Sequence, residues 1–233
     1  MKNHLIVQNW GAIDYAEAWK RQGELQQELI DIKRQRNKGL SPSDNGKHYL
    51  IFCQHPHVYT LGKSGSEDHL LVDEDFLKSH EVSYYKINRG GDITYHGPGQ
   101  WVVYPVMDLE LIYTDIHRYI RSLEEVIILV LQDLGLQGYR VDDYTGVWIG
   151  DEPRRKICAI GVHLSRWVSM HGLAFNINTD LNYFNHIVPC GIQEKNKEVT
   201  SLSEELNRKL DMKEVQEMIL KHFLEVFEIQ EKK

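Results

Sequence analysis

The sequence has few cysteines and no long apolar run. Its three cysteines, Cys53, Cys158 and Cys190, are odd in number and widely spaced, which argues against a disulfide framework and fits a reducing compartment. No stretch approaches the roughly 20 apolar residues that a membrane-spanning helix needs. The N-terminus lacks the basic segment and apolar core of a signal peptide. We therefore expect a cytoplasmic protein that makes no membrane contact.

Basic residues are also outnumbered by acidic ones, 27 lysines and arginines against 34 aspartates and glutamates, which gives a formal net charge of −7. General nucleic-acid binding requires a basic footprint, so no nucleic-acid partner is expected. Although the chain has twelve histidines, the sequence contains no CxxC or HExxH motif with the spacing of a metal site. No metal and no cofactor are predicted.

What is present is a mixture of helical and strand patterns without a low-complexity linker between them. Capping residues predict helices over residues 14–37, 116–134 and 211–229, and apolar spacings of three and four support the second of these. Short apolar runs predict strands at residues 48–53, 58–61, 82–87, 101–107, 146–149, 156–164 and 167–177. The economical interpretation is one mixed α/β domain over residues 1–233.

Cys190 stands between Pro189 and Gly191. Proline and glycine disfavour the interior of a helix or of a paired strand, so this cysteine is expected on a tight loop. Cysteine chemistry requires the thiolate, which a neighbouring cation or base must favour. An unreactive loop cysteine is the alternative.

Lys156 enters an apolar strand that also contains Cys158. A buried ammonium is costly unless it is paired or neutral, so an inward-facing Lys156 is a candidate base. A lysine at a strand end that reaches solvent is the alternative. Cys158 shares the face of Lys156 if the strand is regular, which makes it either a rival nucleophile or a buried, inert thiol.

Two further segments are rich in small residues. Residues 89–100 contain four glycines and His96, so their backbone can approach a ligand or bind an anion, although glycines also serve simply to make turns. His96 is a candidate base or hydrogen-bond donor. Residues 171–178 carry Gly172-Leu173-Ala174, which leaves room either for a straight acyl chain or for a close strand crossing.

Together these four segments resemble the lipoyl(octanoyl) transferases of the biotin/lipoate protein ligase superfamily. The similarity runs from about Tyr49 to Ser201. Its signatures are Arg89-Gly90-Gly91 through Thr94-Tyr95-His96-Gly97-Pro98-Gly99-Gln100, Lys156-Ile157-Cys158 with Gly161, His171-Gly172-Leu173-Ala174 with Asn176 and Asn178, and Pro189-Cys190-Gly191. The resemblance implies an α/β (α+β) fold in which a mixed β-sheet is flanked by helices.

The resemblance also implies roles for individual residues. Cys190 is implied to be the nucleophile that carries an acyl thioester, and Lys156 is implied to be its activating partner. Fourteen residues are implied to bind the acyl substrate: Arg89, Gly90, Gly91, Asp92, Ile93, Thr94, Tyr95, His96, Ala159, Ile160, Gly161, Gly172, Leu173 and Ala174.

The activity that the resemblance implies is transfer of an octanoyl group from octanoyl-acyl carrier protein to a lysine of lipoyl domains, a step of lipoate biosynthesis. The implied acceptors are the lipoyl domains of 2-oxoacid dehydrogenase E2 subunits and the glycine cleavage H protein. An acidic carrier requires a basic docking surface, for which Arg154, Arg155 and Arg166 are candidates. The alternatives are an ATP-dependent ligase, an amidotransferase between lipoyl domains, and a non-catalytic binder of acylated carrier protein.

Overall fold

The computed structural model describes residues 3–40, 45–142, 144–188 and 197–232. The helices in these ranges are α1 (Tyr15–Asn37), α2 (Glu74–Ser79), α3 (Ile116–Asp133), α4 (Leu202–Leu206) and α5 (Met212–Phe227). The strands are β1 (His4–Ala12), β2 (Lys47–Gln54), β3 (Val58–Leu61), β4 (Ser83–Lys86), β5 (Ile93–His96), β6 (Gln100–Val106), β7 (Gly138–Val141), β8 (Tyr144–Ile149), β9 (Arg154–Ser165), β10 (Val168–Asn176), β11 (Lys197–Val199) and β12 (Gln230–Glu231). None of the described helices has the length and apolar character to cross a membrane.

A large mixed sheet forms the centre of the molecule. Its strands follow the order β12-β1-β2-β6-β10-β9-β8-β7, and β11 also pairs with β9. β1 is parallel to both of its neighbours, whereas β2, β6, β10, β9 and β8 are successively antiparallel. A second sheet has the order β4-β3-β5. The predicted architecture, a mixed sheet flanked by helices, is thus observed.

Helices cover both faces of the large sheet because each presents an apolar stripe. α3 contributes Leu123, Ile127 and Val130 to the main core, and α5 adds Ile219 and Phe223 to the same cluster. On the opposite face, α1 places Ala18, Leu29 and Ile30 in a second cluster with β2 and β6. Asp14 caps α1 by accepting hydrogen bonds from the backbone amides of its first turn, as its spacing to Glu17 predicts.

β9 is the strand that positions the site. It is 12 residues long, twice the 6 residues of β8, and β8 pairs with it only as far as Cys158. On its other side, β11 pairs with residues 154–156 and β10 with residues 158–165. The second half of β9 therefore has no strand partner on the β8 side within the described part of the chain.

Five strands were not predicted: β1, β5, β7, β11 and β12. β11 and β12 are only three and two residues long. β1 and β7 lie in segments without a clear alternation of apolar and polar residues, and they are recognisable only through their partners in the sheet. β5 lies inside the glycine-rich segment, for which no strand was predicted; residues 93–96 pair with β3 in an antiparallel register. Glycines flank this strand on both sides and supply the turns.

Candidate active site

A cavity of about 760 Å³ lies beside β9. Lys156 lines it, together with all but two of the residues that the sequence predicted for substrate binding. These are Arg89, Gly90, Gly91, Asp92, Thr94, His96, Ala159, Ile160, Gly161, Gly172, Leu173 and Ala174. Segments that are far apart in the sequence thus form one enclosure, because β5, β9 and β10 bring them together.

The two exceptions, Ile93 and Tyr95, follow from the alternation of side chains along β5. Thr94 and His96 face the cavity, so the residues between them face the other side. Both pack in a separate buried cluster, and the Tyr95 hydroxyl is 2.7 Å from Nδ1 of His57. Their position supports the wall of the cavity from behind and gives them no contact with its interior.

Lys156 is buried near the start of β9, with 8% of its surface exposed. Its Nζ lies 4.7 Å from the centroid of the Trp148 ring, and Trp148 pairs with it across the β8–β9 ladder. The face of an indole ring attracts an ammonium group. Lys156 therefore does not extend to solvent as a lysine at a strand end would.

A β-bulge separates Lys156 from Cys158. Val147 pairs with Cys158, but the next residue of β8, Trp148, pairs with Lys156, which leaves Ile157 as the extra residue. An extra residue reverses the alternation of faces along a strand. Lys156 accordingly lines the cavity, whereas Cys158 packs in the core. The assumption of a regular strand, which placed both side chains on one face, is wrong.

The two described cysteines are poor nucleophiles. Cys158 is completely buried, and burial raises the pKa of its thiol far above the ordinary value. Cys53 is also completely buried, with the same effect on its pKa. A buried thiol stays protonated and unreactive, so the structure supports the inert alternative for Cys158. Cys190 lies outside the described residues; Val188, two positions before it, donates its backbone N–H to the carbonyl of His69 at 2.8 Å.

A buried hydrogen-bond chain begins at Arg89, whose Nη2 donates to the backbone carbonyl of Thr60 at 2.6 Å and to its Oγ1 at 3.0 Å. Thr60 Oγ1 in turn lies 3.4 Å from Nε2 of His96. The other ring nitrogen of His96 donates to Oε1 of Gln100 at 2.8 Å. Burial lowers the pKa of His96 well below its ordinary value. His96 is thus a neutral hydrogen-bond donor, and its ring nitrogens are engaged within the protein.

The same chain continues to the backbone of Lys156. Gln100 Nε2 donates to Oδ1 of Asn176 at 2.9 Å, and Asn176 Nδ2 donates to the carbonyl of Thr200 at 2.9 Å. The backbone N–H of Thr200 donates to the carbonyl of Lys156 at 3.0 Å. These contacts connect the arginine–glycine segment (residues 89–91) to β9, the strand that carries Lys156. They fix the two walls of the cavity relative to each other.

Gly90 and Gly161 allow the arginine–glycine segment to lie on the open part of β9. The backbone N–H of Gly90 donates to the carbonyl of Val162 at 2.9 Å. A Cβ atom at Gly161 would lie 2.9 Å from the carbonyl oxygen of Gly90 and 3.1 Å from Cδ of Arg89. Position 161 therefore has to be glycine for the arginine–glycine segment to lie this close to β9. Close packing thus explains why Gly161 is part of the sequence signature.

Gly172 has a different reason to be glycine. A Cβ atom there would lie 2.2 Å from the carbonyl oxygen of Val103 and 2.6 Å from Cδ of Pro105. The close strand crossing, which the sequence left as an alternative to an acyl channel, explains this residue. Ala174 and Ala159, which pair across β9 and β10, are the small residues that leave space in the cavity.

His171 is a cavity residue whose backbone departs from the strand. Its φ of 61° is left-handed, which is costly for a residue other than glycine. The backbone N–H of His171 donates to Oε1 of Gln22 at 3.0 Å, and its Nε2 donates to Oδ1 of Asn88 at 2.8 Å. Pro105, opposite this part of β10, has no N–H to offer the ladder. Burial, followed by the charge of Arg89, lowers the pKa of His171 to about 3.

The sequence did not point to the aromatic end of the cavity. Tyr15 and Tyr104 line it and are almost fully buried. Tyr104 donates its hydroxyl proton to Nε2 of His55 at 2.7 Å, and Nδ1 of His55 donates to the carbonyl of Ile13 at 2.8 Å. Neither α1 nor β6 carries a motif here. Only the packing of α1 on the sheet brings these side chains together.

The proposed carrier-docking arginines differ in their surroundings. Arg155 forms a two-pronged ion pair with Glu205, with Nε–Oε1 and Nη2–Oε2 distances of 2.7 Å and 2.9 Å. The hydrogen bond from Arg155 is the main reason that the pKa of Glu205 is lowered. Arg154 and Arg166 are exposed. Arg155 is therefore committed to the fold, and the two exposed arginines stay candidates.

Comparison with known proteins gives a consistent result. The chain is 52% identical to a protein named octanoyltransferase from Christiangramia forsetii, over 98% of this chain and 97% of the relative. It is 51% identical to an octanoyltransferase from Flavobacterium psychrophilum, over 98% of both chains.

Among solved structures, a bi-partite lipoate protein ligase from Thermoplasma acidophilum superposes with a TM-score of 0.70. It is 18% identical, and the superposition covers 100% of this chain and 86% of that one. At this identity the likeness concerns the fold alone, and it agrees with the observed sheet and helices. The model of the lipoyl protein ligase A/B catalytic domain matches residues 14–224. The resemblance predicted from the four sequence segments is confirmed: the chain belongs to the lipoyl protein ligase A/B catalytic-domain family.

Proposed function

We propose that this protein transfers an octanoyl group from octanoyl-acyl carrier protein to a specific lysine of lipoyl domains, as a step of lipoate biosynthesis. The single observation that carries the proposal is the convergence of twelve of the fourteen predicted substrate-binding residues with Lys156 around one cavity. Relatives that share about half of their residues with this chain over nearly its whole length are named octanoyltransferases. We place the enzyme in the cytoplasm, where a reducing environment suits free thiols such as Cys53 and Cys158.

In the proposed mechanism, Cys190 is the nucleophile. Its thiolate attacks the thioester carbonyl of the donor, a new carbon–sulfur bond forms, and the pantetheine thiolate leaves and takes up a proton. This exchange replaces one thioester by another, so the acyl group stays activated without ATP. The amine of the acceptor lysine then attacks the acyl-enzyme, a carbon–nitrogen bond forms, and the cysteine sulfur is released.

Lys156 is proposed to act on the protons of both steps. Either its ammonium stabilises the cysteine thiolate, or its neutral amine removes a proton from the thiol and later from the incoming lysine. The position of Nζ over Trp148 supports the first possibility, because the ring attracts a cation. Lys156 lies on the same strand as the small cavity residues Ala159 and Gly161, which supports its proposed action on the reacting groups.

The acceptors that we propose are the lipoyl domains of 2-oxoacid dehydrogenase E2 subunits and the glycine cleavage H protein. Each presents a lysine whose amine must reach the acyl-enzyme carbonyl. Lys156 lies near the start of the long strand β9, where it pairs with the C-terminal ends of β8 and β11. In the proposal, the reacting carbonyl lies beside Lys156, and the acceptor lysine enters the cavity from this side.

The test is intact-protein mass spectrometry after mixing the enzyme with octanoyl-acyl carrier protein in the absence of ATP. A hydroxylamine-labile adduct of about 126 Da is expected on the parent, as thioester chemistry requires. It should vanish in Cys190→Ser and persist in Cys158→Ser, the matched control with a buried thiol. Transfer that requires free octanoate and ATP, without an adduct, would identify a ligase instead. An adduct formed from an octanoylated lipoyl domain but not from the carrier would identify an amidotransferase.

A further inference from the structure

We propose that Tyr15 closes the acyl end of the cavity and sets the upper length of the acyl chain, an inference that rests on the proposed transfer function. Tyr15 is the first residue of α1, and only 3% of its surface is exposed. It lines the same cavity as Lys156. Its role would be to select among fatty acyl chains by their length.

The floor of the cavity is a row of small side chains that crosses the sheet. Ala159 of β9 pairs with Ala174 of β10, Ala174 pairs with Val102 of β6, and Val102 pairs with Cys53 of β2. The first three of these residues line the cavity, but Cys53 does not. The open path therefore runs across three strands and ends before the fourth.

The length of this path matches a medium acyl chain. Neighbouring strands lie about 4.8 Å apart, so the row from β9 to β6 spans about 10 Å. An extended eight-carbon chain is about 9 Å from its carbonyl carbon to its methyl carbon, given bonds of about 1.5 Å in a zigzag. A chain whose carbonyl carbon lies beside Ala159 and which crosses this floor ends at Val102, which lines the cavity together with Tyr104 and Tyr15.

Tyr15 is held at that end by rings on several sides. Its ring lies 5.9 Å from His96 and 5.6 Å from Tyr85, both in stacked orientation, and 5.1 Å from His55. The packed rings leave the side chain little freedom to move aside for a longer chain. Tyr104, the neighbouring wall, is fixed by its hydrogen bond to His55.

Four polar groups around the end wall are neutral, and the guanidinium of Arg89 beside them is held in hydrogen bonds to backbone and side-chain oxygens. Burial raises the pKa of the Tyr15 and Tyr104 hydroxyls far above the ordinary value. Burial also lowers the pKa of His55 to about 4 and that of His96 well below its usual range. The four groups thus carry no charge at neutral pH, and an alkyl chain end can lie against them without displacing a solvated ion.

The experiment compares kcat/KM for hexanoyl-, octanoyl-, decanoyl- and dodecanoyl-acyl carrier protein with a lipoyl domain as acceptor. In Tyr15→Ala, the decanoyl-to-octanoyl ratio should rise about 15-fold over the parent, at roughly fourfold for each methylene that gains a place in the cavity. In Val102→Phe, which fills the floor, the hexanoyl-to-octanoyl ratio should rise instead. Tyr139→Ala, on β7 and away from the cavity, should keep the ratios of the parent.

Unchanged ratios in a folded Tyr15→Ala protein would overturn the proposal. Where Tyr15→Ala is not recovered as folded protein, Val102→Phe decides, and an unchanged hexanoyl-to-octanoyl ratio has the same meaning. Failure of the parent to transfer octanoate from any carrier is a different result, because it would reject the transfer function and not the position of the end wall.

Discussion

The Nζ atom of Lys156 lies 4.7 Å from the centroid of the Trp148 ring, and the two residues pair directly across neighbouring strands. The ring supplies a surface that favours a cation, in a place where solvent is excluded. A cation–π contact of this kind is worth about 0.5–2 kcal/mol. The lysine is thus held by its neighbour in the sheet, at a fixed distance from the cavity floor.

Trp148→Leu is expected to lower kcat for octanoyl transfer by about tenfold, because the loss of about 1–2 kcal/mol of attraction leaves the Lys156 side chain poorly positioned. KM for the carrier should change less, since Trp148 does not line the cavity. Trp148→Phe, which keeps an aromatic face, should retain more activity than the leucine variant. Steady-state kinetics on both variants, with circular dichroism to verify folding, tests this. Equal activity of the two variants would show that the aromatic face has no such role.

Gly161→Ala should weaken both stability and substrate binding. The new methyl group would press on the Gly90 carbonyl at 2.9 Å, and overpacking of this kind costs about 1–3 kcal/mol. The displaced arginine–glycine segment should raise KM for the carrier. Gly90→Ala is the matched control, because its nearest neighbour would be the Val162 carbonyl at an ordinary 3.5 Å. Urea unfolding and KM values compare the two; equal effects would contradict the explanation by close approach.

Arg154→Glu and Arg155→Glu should have distinct effects. Arg155 is paired with Glu205, so its reversal places two carboxylates together and should lower the melting temperature. Arg154 is exposed, so its reversal should leave the melting temperature unchanged and raise KM for the acidic carrier. Thermal melts and carrier titrations at low salt separate these outcomes. An unchanged KM in Arg154→Glu would remove this residue from the docking surface.

Acid should destabilise the protein below about pH 6.5, because several buried histidines are neutral in the folded state. Burial lowers the pKa of His48 to about 3, whereas the unfolded value is about 6.5. The unfolded chain then binds more protons between these values, so stability is present above pH 6.5 and is lost as the pH falls towards 3. One such histidine contributes at most about 1.4 kcal/mol per pH unit.

His48→Gln tests this dependence outside the cavity. The backbone N–H of Asp108 donates to Nδ1 of His48 at 3.2 Å, and a glutamine carbonyl can accept in its place. The free energy of unfolding in urea should fall less steeply between about pH 6 and pH 4.5 in the variant, by up to about 2 kcal/mol over that interval. The same slope in parent and variant would mean that His48 does not titrate on unfolding.

Much of the architecture was accessible from local patterns. Capping aspartates predicted α1, α3 and α5, and regular apolar spacing supported α3. Continuous apolar runs predicted most of the buried strands. β1 and β7 were missed because their side chains show no strict alternation; their partners in the sheet stabilise them. β5 was hidden by glycines that belong to the turns on either side of it.

The site divides in the same way. The glycine-rich and lysine-containing segments could be singled out because their residue types are unusual for a core strand. Tyr15 and Tyr104 could not, since a buried tyrosine in a helix or strand looks like any other core residue in the sequence. Cys190 was proposed from its neighbours in the chain and lies outside the residues that the structure describes, so its role stays a prediction.

The extra residue at position 157 also affects how related chains should be compared. Side chains before and after Ile157 follow opposite conventions of inward and outward. A related sequence that lacks one residue here would run as a regular strand and keep the lysine and the cysteine on their present, opposite faces, whereas a strand of this length without the bulge would turn the thiol to the face of the amine. In an alignment, inward and outward side chains therefore have to be assigned separately before and after residue 157. An identical residue at one position does not by itself show which side chain lines the cavity.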